Sequence, residues 1–291
     1  MNTFITSLPL VYIDILLAWA LWFPISAGQL SMAVPAFSAV GAYSSSLFSI
    51  HQGTGLALGM VIGAVFGACA GLPFGLLCTR LRVFGLAVAS LGAVEILVTV
   101  VQNVNYLGGS VGLIGIATSS IAWPGFFVCL AVIAFSILVF RSRLGRALDM
   151  VRHDERLAAS VGVSPLQVKL YVLVVSGLVA GIGGALYAAY TGFIDPSQFS
   201  SELIVELFAY VMLGGANSFW GPVCGAAGLT IALQYLAVAG SIRYILFAAL
   251  LIAVIIVRRD GIISRSARLR RRRLYRAIAP IWRPPDLGGN S

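Results

Sequence analysis

The feature that most constrains this chain is its succession of long uncharged apolar runs. Read between charges and turn residues, they cover 8–25, 29–50, 55–79, 84–104, 121–140, 168–190, 203–217, 219–236 and 243–257. About 20 apolar residues in helical form cross the ~30 Å hydrocarbon core of a bilayer. In hydrocarbon a backbone must satisfy its own polar groups, and consecutive runs of this length do so as helices. Composition agrees: 10% of residues are charged and 59% hydrophobic, against about 25% charged in soluble domains. The mean hydropathy is +0.98. The expected fold is an all-α integral membrane protein, a polytopic helical bundle of about 8–10 transmembrane segments. The short, uncharged connections at 26–28 and 214–221 are open to being breaks within the membrane.

The net charge of +9 does not describe a nucleic-acid surface. Eighteen of the nineteen basic residues fall at Arg80 and Arg82, from Arg141 to Lys169, and from Arg258 to Arg283, each beside an apolar run; Arg243 stands apart. Lys and Arg concentrate in cytoplasmic loops. Placing the three clusters there gives an outer N-terminus, nine alternating crossings and a cytoplasmic C-terminus. No basic residue precedes the first run, so it reads as a retained span rather than a cleaved leader. The expected organisation is a transmembrane domain over 1–257, with a cytoplasmic segment at 141–167, and a basic tail over 258–291. The tail suits anionic lipid headgroups.

Enzyme chemistry finds no constellation. His51 and His153 fall on opposite sides, and the four cysteines lack metal or redox spacing. The single lysine, Lys169, lacks the GxxxxGK[ST] context of a phosphate-binding loop, so any ATP-driven step belongs to another polypeptide. No metal or cofactor is expected in this chain. Ionisable residues within spans are costly and point to function. They are Asp14, about six residues into its span and within reach of the interface, Glu95 at mid-span, and Glu206, one turn after Glu202 near the outer mouth. Packing and a role in a pathway both account for Glu95 and Glu206. No span combines several acids with a basic partner, which weakens a stand-alone proton-coupled carrier.

The segment 141–167 is the most informative. Ala147, Leu148, Val151, Leu157, Ala158 and Val161 form an apolar set, with Arg146, Asp149, Arg152, His153, Asp154, Glu155 and Arg156 around it. The pattern predicts one short amphipathic helix ending at Gly162, then a new helix capped by Ser164 with Pro165 in its first turn. Alternating acids and bases suit a protein partner better than a lipid surface.

This segment, Gly145 to Val163, resembles the cytoplasmic coupling segment of LivM-type permeases of the branched-chain amino acid ABC importer family. Four further blocks agree in order: Gly28-Gln-Leu-Ser31 through Gly41-Ala-Tyr43, Arg80 through Glu95, Gly108 through Ile116, and Gly181 through Pro222. The resemblance implies a permease subunit for branched-chain or other hydrophobic amino acids in a cell inner membrane. It implies a LivH-type second permease, two P-loop ATPases carrying ATP and Mg, and an extracytoplasmic binding protein. Transferred onto this sequence, Gly145, Arg146, Asp154, Glu155 and Gly162 become the ATPase-coupling set. Gln29, Ser31, Glu95 and Glu206 become path candidates, and Gly41, Gly181, Gly183, Gly184, Gly214 and Gly215 become helix-packing or hinge positions. Where the family commonly has a Gly-His-Ala-like run, this chain has Ala33-Val34-Pro35, and Pro35 is expected to kink the second span. Related permeases serve urea, short amides or aromatic compounds, so those solutes stay open beside amino acids.

Overall fold

The computed structural model describes residues 2–78, 81, 83–118, 121–216 and 218–236. The expected span 243–257, the tail 258–291, and Arg80, Arg82 and Arg243 lie outside the described residues. Ten α-helices follow in order: α1 (Asn2–Ser26), α2 (Val34–Gln52), α3 (Leu56–Cys78), α4 (Val83–Asn103), α5 (Ala122–Arg141), α6 (Arg143–His153), α7 (Glu155–Ser160), α8 (Pro165–Thr191), α9 (Ser201–Gly214) and α10 (Gly221–Leu236). Two dipeptide strands, β1 (Leu113–Ile114) and β2 (Phe193–Ile194), pair antiparallel, Leu113 opposite Ile194. Five of the described helices are long and apolar enough to cross a membrane. The expected polytopic helical bundle is the observed architecture.

Side-chain neighbours fix the sense of each helix. Gly63, Gly67 and Gly71 of α3 meet Gly181, Gly177 and Leu173 of α8, so these two run antiparallel. Ser45 and Gly41 of α2 face Gly59 and Gly63, making α2 and α3 antiparallel as well. Leu17 of α1 meets Gly183, and the Ser176 hydroxyl donates to the Ala20 carbonyl at 2.6 Å, so α1 opposes α8. Tyr12 lies at Gly125 and Trp22 at Phe140, so α5 runs with α1. Ser90 accepts from the Met32 N–H at 2.9 Å while Tyr106, just past α4, reaches His51, so α4 runs with α2. Gly225 meets Tyr210 and Gly214 meets Gly221, closing an antiparallel α9–α10 pair. Leaving out α6 and α7, the described helices therefore alternate in sense. One end of the bundle carries the β1–β2 pair; the other carries α6 and α7, about 40 Å away along the 27-residue α8 at 1.5 Å per residue.

Both uncertain connections are turns between antiparallel helices. The first is longer than expected. The Pro24 carbonyl accepts from the N–H groups of Ala27 and Gln29, which ends α1, and 29–33 runs without helix. The second span thus starts at Val34, not at 29. Pro35 sits in its first turn, where its missing N–H would have had no intrahelical partner, and so it begins α2 instead of kinking it. Serines can line the buried face of α2 because Ser38, Ser44, Ser45 and Ser46 each donate to a carbonyl three or four residues back.

Helix α8 is the centre of the bundle, packed by α1, α2 and α3. Lipid offers little hydrophobic drive for helix association, so close backbone approach through small residues has to supply it. A methyl built at Gly41, Gly67, Gly181 or Gly184 would overlap the backbone of a facing helix. Gly184→Ala would press on the Ser38 carbonyl. Such overpacking should cost roughly 1–3 kcal/mol and lower the thermal midpoint in detergent. Gly92→Ala, with nothing near the added methyl, should leave that midpoint in place.

Candidate functional site

Helices α1, α9 and α10 bring four polar side chains together inside the membrane-spanning part. The Thr230 hydroxyl donates to Asp14 Oδ2 at 2.7 Å. The Tyr210 hydroxyl donates to Glu206 Oε1 and lies 3.4 Å from Asp14 Oδ2. Helical spacing explains half of this, since Glu206 and Tyr210 stand four residues apart on one face of α9. The other half is α1, which extends to Asn2. Asp14 therefore lies twelve residues into its helix. The cluster borders a cleft of about 640 Å³ at the β1–β2 end, lined also by Leu17, Glu202 and Gln234. It can hold a polar solute by charge and hydrogen bonds while leaving apolar wall beside it.

The path candidates are not brought together. Glu206 belongs to this cluster. Glu95 is exposed and accepts from the Ser201 hydroxyl at 2.8 Å. Ile204 and Phe208 pack with Val94 and Leu97 on the α4 side, so Glu95 and Glu206 lie against opposite faces of α9. Gln29 and Ser31 are buried in the connection after α1, at the α6–α7 end. Gln29 borders a second cleft with Phe84, Glu155 and Lys169, its Oε1 without a hydrogen-bond partner. Asp14 was noted among the span acids but not counted as a site residue. Tyr210 and Thr230 carry no sequence signal beyond their spacing from Glu206 and their apolar surroundings.

The 141–167 segment differs from the single helix expected. It breaks at Asp154, whose extended backbone and carboxylate cap α7 by accepting from the N–H groups of Arg156 and Leu157. A cap carboxylate relieves the unpaired N–H groups of a helix start, and two short helices result. Leu148, Val151 and Ala158 face inward while Arg146 stays exposed. Glu155 pairs with Lys169 of α8 at 2.6 Å. Gly162 ends α7 at φ +84°, where a side chain would be strained. Pro165 opens α8 as expected, although Ser164 makes no side-chain cap bond. Gly145 lies under Phe140 in the tight α5–α6 corner. Gly183 faces Leu17, and Gly214 abuts Gly221 in the α9–α10 turn.

A family profile described as branched-chain amino acid transport system, permease component, matches residues 3–255. The chain belongs to this family. It is a family of membrane permease components, not of enzymes, and the chain is a multi-pass membrane protein. The chain is similar to the high-affinity branched-chain amino acid transport system permease protein LivM of Escherichia coli K12, 27% identical over 271 positions. That match covers 81% of this chain and 64% of the relative, so the chain spans less than two thirds of that protein's length. It is also similar to the corresponding permease protein LivH of the same strain, 28% identical over 47% of this chain and 44% of the relative. The autoinducer 2 import system permease protein LsrC of Yersinia enterocolitica is 26% identical over 62% of this chain and 54% of the relative. No solved structure matches the chain.

Tyr210→Phe should leave both carboxylates without their shared hydroxyl, at a cost of about 1–3 kcal/mol for unsatisfied polar groups. A fall in the detergent unfolding midpoint checks this. Glu95→Gln, which keeps an acceptor for the exposed Ser201 hydroxyl, should move the midpoint by no more than about 0.5 kcal/mol equivalent.

Proposed function

We propose that this chain is the permease subunit of an ABC importer for branched-chain or other hydrophobic amino acids. The observation that carries the reading is the family match over 3–255, with LivM and LivH proteins among the relatives. On this reading a LivH-type permease completes the membrane core. Two P-loop ATPases supply ATP hydrolysis with Mg, and a binding protein delivers solute at the β1–β2 end. The C-terminus is cytoplasmic and the membrane is the cell inner membrane. Nothing in the function requires a metal or nucleic acid on this chain.

Several features support these roles. Segment α6–α7 presents charge at one end of the bundle around an apolar face that packs inward, as a docking element for an ATPase requires. Gly145, Arg146, Asp154, Glu155 and Gly162 then divide their tasks: Arg146 is the outward contact, Asp154 and Gly162 shape the helix ends, Gly145 sets the corner, and Glu155 ties α7 to α8. The exposed Glu95 sits on a membrane helix, where an ionisable group facing hydrocarbon is costly. A second permease subunit against α4 would remove that cost. Asp14 and Glu206 suit the ammonium group of an amino acid, and Gln29 and Ser31 would line the exit near α6–α7. The similarity to LsrC favours a second reading, in which the same machinery carries a small polar solute that is not an amino acid.

Pull-down of the tagged chain from its native membrane, followed by uptake in proteoliposomes, separates these readings. Recovery of a P-loop ATPase and a second permease, with ATP-dependent leucine uptake, is the expected result. Solute uptake by this chain alone and without ATP would overturn it in favour of a carrier. In the assembled complex, Arg146→Glu should lower ATP-dependent uptake by about tenfold, the equivalent of about 1.4 kcal/mol of lost docking. Chain abundance in the membrane should not change.

A further inference from the structure

At the α6–α7 end of the bundle lies a cavity of about 440 Å³, bordered by α1, α5 and α6. The chain builds it at a corner. Helix α5 ends at Arg141, and Gly145, tucked under Phe140, turns the backbone into α6. Ile137 and Arg141 stand one turn apart on α5, Asp149 and Arg152 one turn apart on α6, and Trp22 and Ser26 one turn apart at the end of α1. All six border the cavity, and so does the half-exposed Trp220. Two guanidinium groups face one carboxylate there, so the cavity carries a net positive charge. Among the described residues neither Arg141 nor Asp149 makes an ion pair. The Ser26 hydroxyl donates to the Phe23 carbonyl at 2.6 Å, which leaves its oxygen as an acceptor.

The outer face of α5 leads straight to this cavity. Phe127, Ala131, Ala134 and Leu138 follow one another at helical spacing, all exposed, and the next position on that face is Arg141. Phe127 is 61% exposed and Leu138 68%. An apolar stripe that ends in an arginine, with tryptophan beside it, marks the level at which a helix passes from hydrocarbon into headgroups.

We propose that this cavity is a binding site for an anionic phospholipid, phosphatidylglycerol, with its headgroup among Arg141, Arg152, Asp149 and Ser26 and an acyl chain along the α5 stripe. The proposal goes beyond the permease reading and rests only on the chain's place in a membrane. The phosphate takes the position between Arg141 and Arg152, whose forked N–H donors match phosphate oxygens. The glycerol hydroxyls donate to the Asp149 carboxylate and to the Ser26 oxygen. Phosphatidylcholine has no N–H or O–H to offer Asp149, and phosphatidylethanolamine, neutral overall, leaves the positive charge of the cavity in place. Phosphatidylglycerol meets both demands, one negative charge and a pair of donors. A soluble phosphate ester would meet the charge but leave the stripe on α5 without a part to play. A lipid held here joins the end of α5 to α6 and to the end of α1, and so steadies the corner from which α6 projects.

The test is lipid retention by the full-length chain in mild detergent, read by native mass spectrometry. Phosphatidylglycerol, phosphatidylethanolamine and phosphatidylcholine with identical acyl chains are titrated in turn. Phosphatidylglycerol should be retained on the order of tenfold more tightly than either of the others, the weight of two arginines against one acid. Arg141→Gln should weaken its retention by about fivefold, the weight of one arginine at an anionic surface. Arg152→Gln should do the same, and Arg141→Gln carries the expectation alone if that variant fails to accumulate. Arg143→Gln removes an equal charge from the same corner, but Arg143 is exposed and does not border the cavity. It should leave the preference unchanged. Equal retention of the three lipids, or an equal loss in Arg143→Gln, would overturn the site. Displacement of the lipid by glycerol phosphate at matched concentration would assign the cavity to a soluble anion and overturn the lipid. Unchanged lipid retention in Arg141→Gln, with loss of a co-purifying ATPase from native membrane, would give the cavity to a protein partner instead. No transported solute enters the measurement, so its outcome is separate from that of the permease reading.

Discussion

The contact on which the rest of this bundle depends is the backbone-to-backbone approach of α8 to α2 and α3. In water, burying the apolar faces of these helices would bring them together, but in lipid an exposed leucine loses little. What remains is dispersion at short range, and dispersion needs surfaces that fit. Gly63, Gly67 and Gly71 on one face of α3, with Gly177 and Gly181 on α8, let two backbones touch over most of their length. The other faces of α3 carry Leu58, Val61, Val65, Leu72 and Leu76 toward the outside, large and exposed. The two faces therefore have opposite requirements, and the four-residue glycine spacing is the sequence record of the inner one.

Polar groups obey the same discipline. A hydroxyl in hydrocarbon must find an acceptor, and the serines of α2 find theirs in their own helix. A carboxylate accepts, and a helix interior offers no free N–H, so Glu206 takes the hydroxyl of Tyr210 one turn on in α9. Asp14 is served from across the bundle, by Thr230 and, at 3.4 Å, by the same Tyr210. That arrangement ties α1 to both α9 and α10, the three helices that border the cleft. The cluster is thus a packing device and a polar lining at once, and neither role requires the other to be absent.

Much of this was legible in the sequence, and the misses have physical causes. The alternation of crossings followed from apolar length and basic loops, and the neighbour pairs of α1 to α10 reproduce it. Pro165 and Gly162 marked helix ends because each has one backbone geometry it suits. Pro35 misled, since the same ring that breaks a helix interior is welcome in a first turn, and residues 29–34 are apolar enough to pass for membrane helix. Asp154 misled in the opposite way: a charge in an amphipathic pattern reads as surface, whereas its side chain is turned back to cap α7. The Asp14–Glu206–Tyr210–Thr230 cluster joins residues up to 216 positions apart, a distance over which no local spacing rule applies.

The break at Asp154 gives the 141–167 segment two attachments rather than one. Helix α6 leaves α5 through the Gly145 corner and lies against the end of α1, where Gly28 faces the backbone of Arg152. Helix α7 is fastened to α8 by Glu155 and Lys169. Helix α1 carries Asp14 at the edge of its cleft, while α8 belongs to the glycine-locked core. Helix α6 packs against α8 as well as against the end of α1, so both short helices lean on the glycine-locked core. The capped break at Asp154 is what lets one segment place α6 at the end of α1 and the Glu155–Lys169 pair on α8.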